Sequence, residues 1–104
     1  MQVRYLAQAR ADIDEIWDYS LQNWSIAKAH TYVETLRRAC DQVADGRKPA
    51  RKADAIMAGL WQVTQGRHVI YLRKEPKEIV IVRILHQSMN AKGRIGSRER
   101  NPLE

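Results

Sequence analysis

Few side chains in this 104-residue sequence could move a proton or attack a substrate: three histidines, His30, His68 and His86, and one cysteine, Cys40. His86 closes the last strand-like segment, with Arg67, Arg73 and Arg83 on or beside strands nearby. A histidine near arginines offers a proton carrier beside cations that could offset developing negative charge. Strand alternation works against such an assembly here. Arg67 and Arg73 share a face, whereas Arg83 and His86 have opposite parity and reach one cleft only across a bulge or at a strand end. The residues after His86, Gln87-Ser88-Met89, offer no aromatic ring to stack on a base. A hydrogen-bonded histidine ending a buried strand explains His86 without catalysis.

The other candidates fail sooner. Cys40 falls on an apolar helical stripe and reads as a small core residue, and one cysteine forms no internal disulfide. Scattered histidines with one cysteine make no metal site, so neither metal nor cofactor is expected. His30 shares an outer helical flank with Arg37. Gly93-Arg94-Ile95-Gly96 follows no strand directly and opens no useful helix, so it is not a phosphate loop.

The elements that must position these residues are legible from period. A strand over Val3–Leu6 precedes a helix from about Ala9, with Ile13, Trp17, Ser20 and Trp24 on its stripe and Ile16 and Leu21 beside it. Asp12, Asp14 and Glu15 crowd its first turns, where the helix dipole favours negative charge. Asn23-Trp24-Ser25 reads as a corner, with Ser25 capping a second helix. That helix carries Ala29, Val33, Leu36, Cys40 and Val43 on one face and stops near Asp45-Gly46. A loop from Arg47 to Ala58 leads to strands at 60–64, 68–73 and 78–86, the last nearly continuous in Ile and Val and so expected to be central. From Gln87 the chain turns polar and basic and is expected to fray; a domain over 1–95 and a tail over 96–104 follow. The order β-α-α-β-β-β predicts an α+β fold, a helical hairpin packed on an antiparallel sheet.

Hydrophobic residues make up 44% and charged residues 29%, the balance of a globular chain. No apolar run is long enough to span a membrane, no signal segment opens the chain, and a cytoplasmic protein is the default expectation. Charge is divided sharply. Residues 1–46 hold five Lys/Arg against seven Asp/Glu, and residues 47–104 hold thirteen against five. The basic half suits an anionic partner, nucleic acid or an acidic protein. Direct DNA binding lacks a recognition helix, because both helices have acidic or mixed outer faces.

The runs Ala11-Asp12-Ile13-Asp14-Glu15-Ile16-Trp17-Asp18-Tyr19, Gly66-Arg67-His68-Val69-Ile70-Tyr71 and Val82-Arg83-Ile84-Leu85-His86-Gln87-Ser88-Met89 resemble the RelE/ParE toxin superfamily, and within it the ParE branch. The resemblance covers about Tyr5 to Ile95. Departures stand at Leu6-Ala7, where the family often has Ser-Pro, at Trp61, where many members carry Arg, and at Tyr71-Leu72-Arg73, where many read Phe-Tyr-Arg. The resemblance implies a bacterial toxin of a type II toxin–antitoxin pair, inhibiting growth by binding DNA gyrase rather than by catalysis. It implies neutralisation by a ParD-like antitoxin, which would also carry any operator binding. The superfamily's RelE branch implies the alternative, ribosome-dependent cleavage of messenger RNA, for which Arg67, Arg83 and His86 are the catalytic candidates. Under the binding reading, Arg83, His86, Gln87, Met89, Lys92 and Arg94 are expected to meet the target. Ile16, Tyr19, Leu21 and Tyr32 on the hairpin are expected to meet the antitoxin.

Overall fold

A computed structural model describes residues 1–95. The elements are β1 (Gln2–Tyr5), α1 (Ala7–Asn23), α2 (Ile26–Ala44), β2 (Arg51–Lys52), β3 (Leu60–Gln65), β4 (His68–Lys74), β5 (Glu78–His86) and α3 (Ala91–Ile95). The tail expected over 96–104 lies outside the described residues.

The helical hairpin forms where its sequence signals stand. Ser25 caps α2, its side-chain oxygen accepting the Lys28 N–H at 3.1 Å. The Trp24 N–H donates to the Ser20 carbonyl at 2.7 Å and closes α1. Ala29, Val33, Leu36, Cys40 and Val43 are all buried, as the stripe on α2 requires. On α1 the buried side is turned from the expected one. Ala9, Asp12, Ile13, Ile16 and Ser20 are buried, Trp17 is half-buried, and Trp24 remains 36% exposed. The helix also begins at Ala7, so Asp12 and its acidic neighbours lie beyond the first turn, where the dipole has little hold.

The sheet is five-stranded in the order β1-β5-β4-β3-β2, and it is mixed rather than wholly antiparallel. Hairpin turns make β3, β4 and β5 antiparallel, but β1 lies parallel to β5, with Gln2 opposite Glu78 and Tyr5 opposite Ile81. The reason is the connection: the chain leaves β1 through two helices, and such a crossover allows the strands to run the same way. The expected loop after Arg47 contains β2, a two-residue strand pairing Arg51 with Gln62 and Lys52 with Trp61. Two residues show no period.

β4 is the middle strand, whereas β5, expected to be central, is interior only as far as Ile81, where β1 ends; hydrophobic clusters cover both faces of the sheet. Beneath the hairpin, Ile13, Ile16, Leu36 and Cys40 pack on Ile70, Leu72, Ile79, Ile81 and Ile84. On the outer face, Ala53, Leu60, Tyr71, Val82, Leu85 and Ile95 form a second cluster. Ile95, 1% exposed, corrects the expectation that the chain frays from Gln87: a short turn leads into α3, whose last residue closes the outer face. Burial gives about 2 kcal/mol for an aliphatic side chain of this size. No helix among the described residues is long and apolar enough to cross a membrane.

Candidate docking cleft

β1 stops pairing with β5 at Ile81, so the remainder of β5 has no strand on that side. α1 fills the gap with Asp12. Its carboxylate accepts the Ile84 backbone N–H at 2.9 Å, and the Arg83 guanidinium donates to both of its oxygens, at 2.8 and 2.9 Å. The side chains are 8% and 13% exposed, so the pair is largely desolvated. The Asp12 hydrogen bond holds the Arg83 pKa above its ordinary value against the opposing effect of burial. A bulge on β5 lies just before this point, where the register passes from Leu72–Ile81 to Tyr71–Arg83.

Beside this pair a row of rings ties the hairpin to the end of the sheet. Trp24 meets Tyr32 edge-on at 5.6 Å, Tyr32 meets His68 at 5.5 Å, and His68 meets His86 at 5.3 Å. The Tyr32 hydroxyl lies 2.6 Å from His68 Nδ1 and accepts the Arg67 backbone N–H at 3.1 Å. Gly66 makes this approach possible. Its φ is +61°, and a Cβ there would stand 2.9 Å from the Tyr32 hydroxyl oxygen. Burial, reinforced by the neighbouring His86 and opposed by Asp12, pushes the His68 pKa down to about 4. His86 stands directly opposite His68, and its Nδ1 lies 2.7 Å from the Ser88 hydroxyl while accepting the Ser88 N–H at 3.2 Å.

These groups border a cleft of about 390 Å³ between α1, α2, the β4–β5 end of the sheet and the segment after β5. Of the expected antitoxin contacts, Ile16, Tyr19 and Tyr32 line it and Leu21 does not. Tyr19 is 63% exposed, Ile16 is buried at the cleft floor, and Tyr32 serves internal hydrogen bonds rather than standing free. Of the expected target contacts, Arg83, His86, Met89 and Arg94 line the cleft, while Gln87 and Lys92 are exposed outside it. Arg83 and His86 do border one cavity despite opposite parity: His86, opposite His68, follows Ile84 and Ile70 to the hairpin face, while Arg83, beyond the end of β1, reaches round the open edge of β5 to Asp12. Arg67 reaches the cleft from the turn before β4, but Arg73 follows strand alternation to the other face of the sheet, so the two arginines are not brought together. Asp12, His68, Trp24 and Ser88 were not singled out as site residues from sequence. The one signal for Asp12 was its helical spacing from Ile16 and Tyr19, four and seven positions on.

The chemistry of the cleft favours docking. Arg83 is spent on Asp12, His68 is held neutral, and His86 Nδ1 is engaged by Ser88, so a phosphate would meet little free charge beyond Arg67 and Arg94. The exposed lining also carries two large hydrophobic side chains, Tyr19 and Met89.

Comparison with known proteins shows the family. Residues 3–91 match the family model described as the ParE toxin of the type II toxin-antitoxin system, parDE. The chain belongs to the ParE toxin family. It is 33% identical to Toxin ParE1 of Caulobacter vibrioides over 93 residues, covering 89% of this chain and 96% of that protein. It is 32% identical to Toxin ParE1 of Mycobacterium tuberculosis over 93 residues, covering 86% and 95%. Among solved structures, a chain of the chromosomal ParDE TA system from P. aeruginosa superposes with a TM-score of 0.71 at 22% identity, covering 83% of this chain and 95% of that one, a likeness of fold.

Proposed function

We propose that this ParE-family toxin poisons DNA gyrase in the cytoplasm by binding it through the cleft and the segment after β5, and that a ParD-like antitoxin neutralises it by covering the same cleft. One observation carries the reading: Ile16, Tyr19 and Tyr32 from the hairpin and Arg83, His86, Met89 and Arg94 from the sheet end border a single cavity. An amphipathic antitoxin helix laid against the hairpin would therefore occupy the space that a target needs. Gln87 and Lys92, exposed beside the cleft, would extend the target contact. Any operator binding would come from the antitoxin, since neither long helix of the toxin has a basic outer face.

The test is a gyrase supercoiling assay with increasing antitoxin, run beside cleavage of ribosome-bound message. Inhibition of supercoiling that antitoxin relieves stoichiometrically, with message intact, is the expected result. His86→Gln should keep most of the inhibition, because glutamine retains a hydrogen-bonding side chain but carries no proton near neutral pH. An acid–base ribonuclease would lose about 10²–10⁴-fold in rate with that change. Message cleavage by the unaltered protein, lost in that variant, would overturn the reading.

A further inference from the structure

Among the described residues, the outer face of the sheet holds a cation with no counterpart. Leu72 belongs to the core beneath the helices and Tyr71 to the outer cluster, so alternation puts Arg73 on the outer face. Its register partners on the two adjoining strands are Leu60 and Val80, each 0% exposed. Arg73 is half-buried between them, and its Nε is removed from solvent without a hydrogen-bond partner. No ion pair reaches it among the described residues. Of the carboxylates close by, Glu78 is held by Arg4 at 3.0 Å, Asp54 accepts the Gly59 N–H at 3.0 Å, and Glu75, two positions on, is exposed in the β4–β5 turn and makes no ion pair with Arg73. Arg4 is the β1 partner of Val80, so Arg4 and Arg73 flank Val80 in one row, about 10 Å apart at ordinary strand spacing.

A guanidinium N–H taken from water without an acceptor is destabilising, and methionine or leucine would fill the row between Leu60 and Val80 without that penalty. What the arginine offers instead is a planar fork matched to the two oxygens of a carboxylate. We propose that Arg73 anchors a carboxylate-binding site on the outer sheet face, filled by an acidic side chain of the antitoxin. The proposal rests on the antitoxin reading above and adds to it a second grip, on the side of the sheet away from the cleft. Charge selects the occupant. Residues 47–104 carry thirteen basic against five acidic side chains, and Arg51 stands in the next outer row, opposite Gln62 and Tyr71.

Titration of the purified toxin with the full-length antitoxin encoded beside it tests the site, using the unaltered protein, Arg73→Met and Arg73→Lys. Melting of each free toxin and the Arg73 Nε–Hε resonance of the unaltered protein are followed in parallel. The expected result has three parts: Arg73→Met loses at least tenfold in affinity, its free form melts no lower than the unaltered toxin, and the resonance shifts on complex formation. Arg73→Lys, which keeps the charge without the fork, loses less. Affinity of Arg73→Met within threefold of the unaltered toxin overturns the proposal, as does loss of gyrase inhibition with antitoxin affinity retained, which would make the target the occupant. If Arg73→Met does not fold, the resonance decides: an unmoved signal in the complex overturns the site. An unaltered toxin that binds no antitoxin refutes the partner reading itself, a result distinct from any of these.

Discussion

Asp12 is 7% exposed on a helix whose other acids, Asp14, Glu15 and Asp18, face solvent. Nothing in its residue type sets it apart from them, and what separates it is Arg83 from a strand 71 positions away. Arg83 and His86 were legible because a charged and a titratable group interrupt an Ile/Val strand; the partner that fixes Arg83 was not, since only the tertiary packing of α1 on β5 distinguishes one acid from three neighbours. Removing the carboxylate strands the guanidinium and the Ile84 N–H together. Asp12→Ala should therefore cost about 3–5 kcal/mol of stability, the scale of a broken buried pair, measured by urea unfolding. A loss below about 1 kcal/mol would mean that water replaces the carboxylate at no great cost. His68 makes a second residue-scale statement. Its folded pKa near 4 lies below the ordinary 6.5, so on acidification the unfolded chain takes the proton first. The stability it contributes is complete above pH 6.5 and is drawn down as pH falls toward about 4, by on the order of 1–2 kcal/mol after discounting for its partial exposure. Chemical unfolding at pH 7 and pH 4.5 should show this decline, and His68→Gln should remove that share of it. Equal pH dependence in both proteins would place the titration elsewhere.

At the scale of elements, what period and capping encode was legible and what connection encodes was not. Ser25, the α2 stripe and the limits of β5 all stand in the local pattern, and they hold. The parallel pairing of β1 is set by the two-helix crossover that follows it, and β2 is too short to alternate. α3 was missed for a different reason: its five residues are polar except at the ends, so only the position of Ile95 under the outer cluster reveals that the segment is packed. This changes what truncation means. Cutting the chain at Gln87 removes candidate target contacts, but it also uncovers Leu60, Tyr71, Val82 and Leu85, so lost toxicity in that variant would mix two causes. Ile95→Ala separates them. It leaves Met89, Lys92 and Arg94 in the chain and should lower stability by about 2–4 kcal/mol in urea unfolding, with gyrase inhibition retained below the melting transition. Unchanged stability would show that the outer face closes without α3.

For the whole molecule, the division of charge and the placing of the cleft act together. An acidic hairpin half and a strongly basic sheet half give a net charge of +6 and a surface that attracts an acidic partner to one side. The cleft lies at the seam between the halves, with Asp12 and Glu15 on one wall and Arg67 and Arg94 on the other, and its rims expose Tyr19 and Met89. A partner that binds the folded toxin and not the unfolded chain raises stability by RT ln(1 + [L]/Kd), about 2.7 kcal/mol at a hundredfold excess over Kd. For a domain of this size each kcal/mol moves the melting temperature by roughly 4–8 °C. Antitoxin at that excess should thus raise the melting temperature by about 10–20 °C, read by calorimetry or intrinsic tryptophan emission. Part of the attraction is Coulombic and screened at high ionic strength, so at fixed antitoxin concentration the rise should shrink between 0.1 and 0.5 M salt. It should not vanish, because the hairpin side of the cleft also offers Ile16, Tyr19 and Trp24, and apolar burial is not screened. A rise that disappears with salt would assign the association to charge alone and remove the hairpin from the interface. No rise at any salt concentration would show that the antitoxin does not bind the folded toxin.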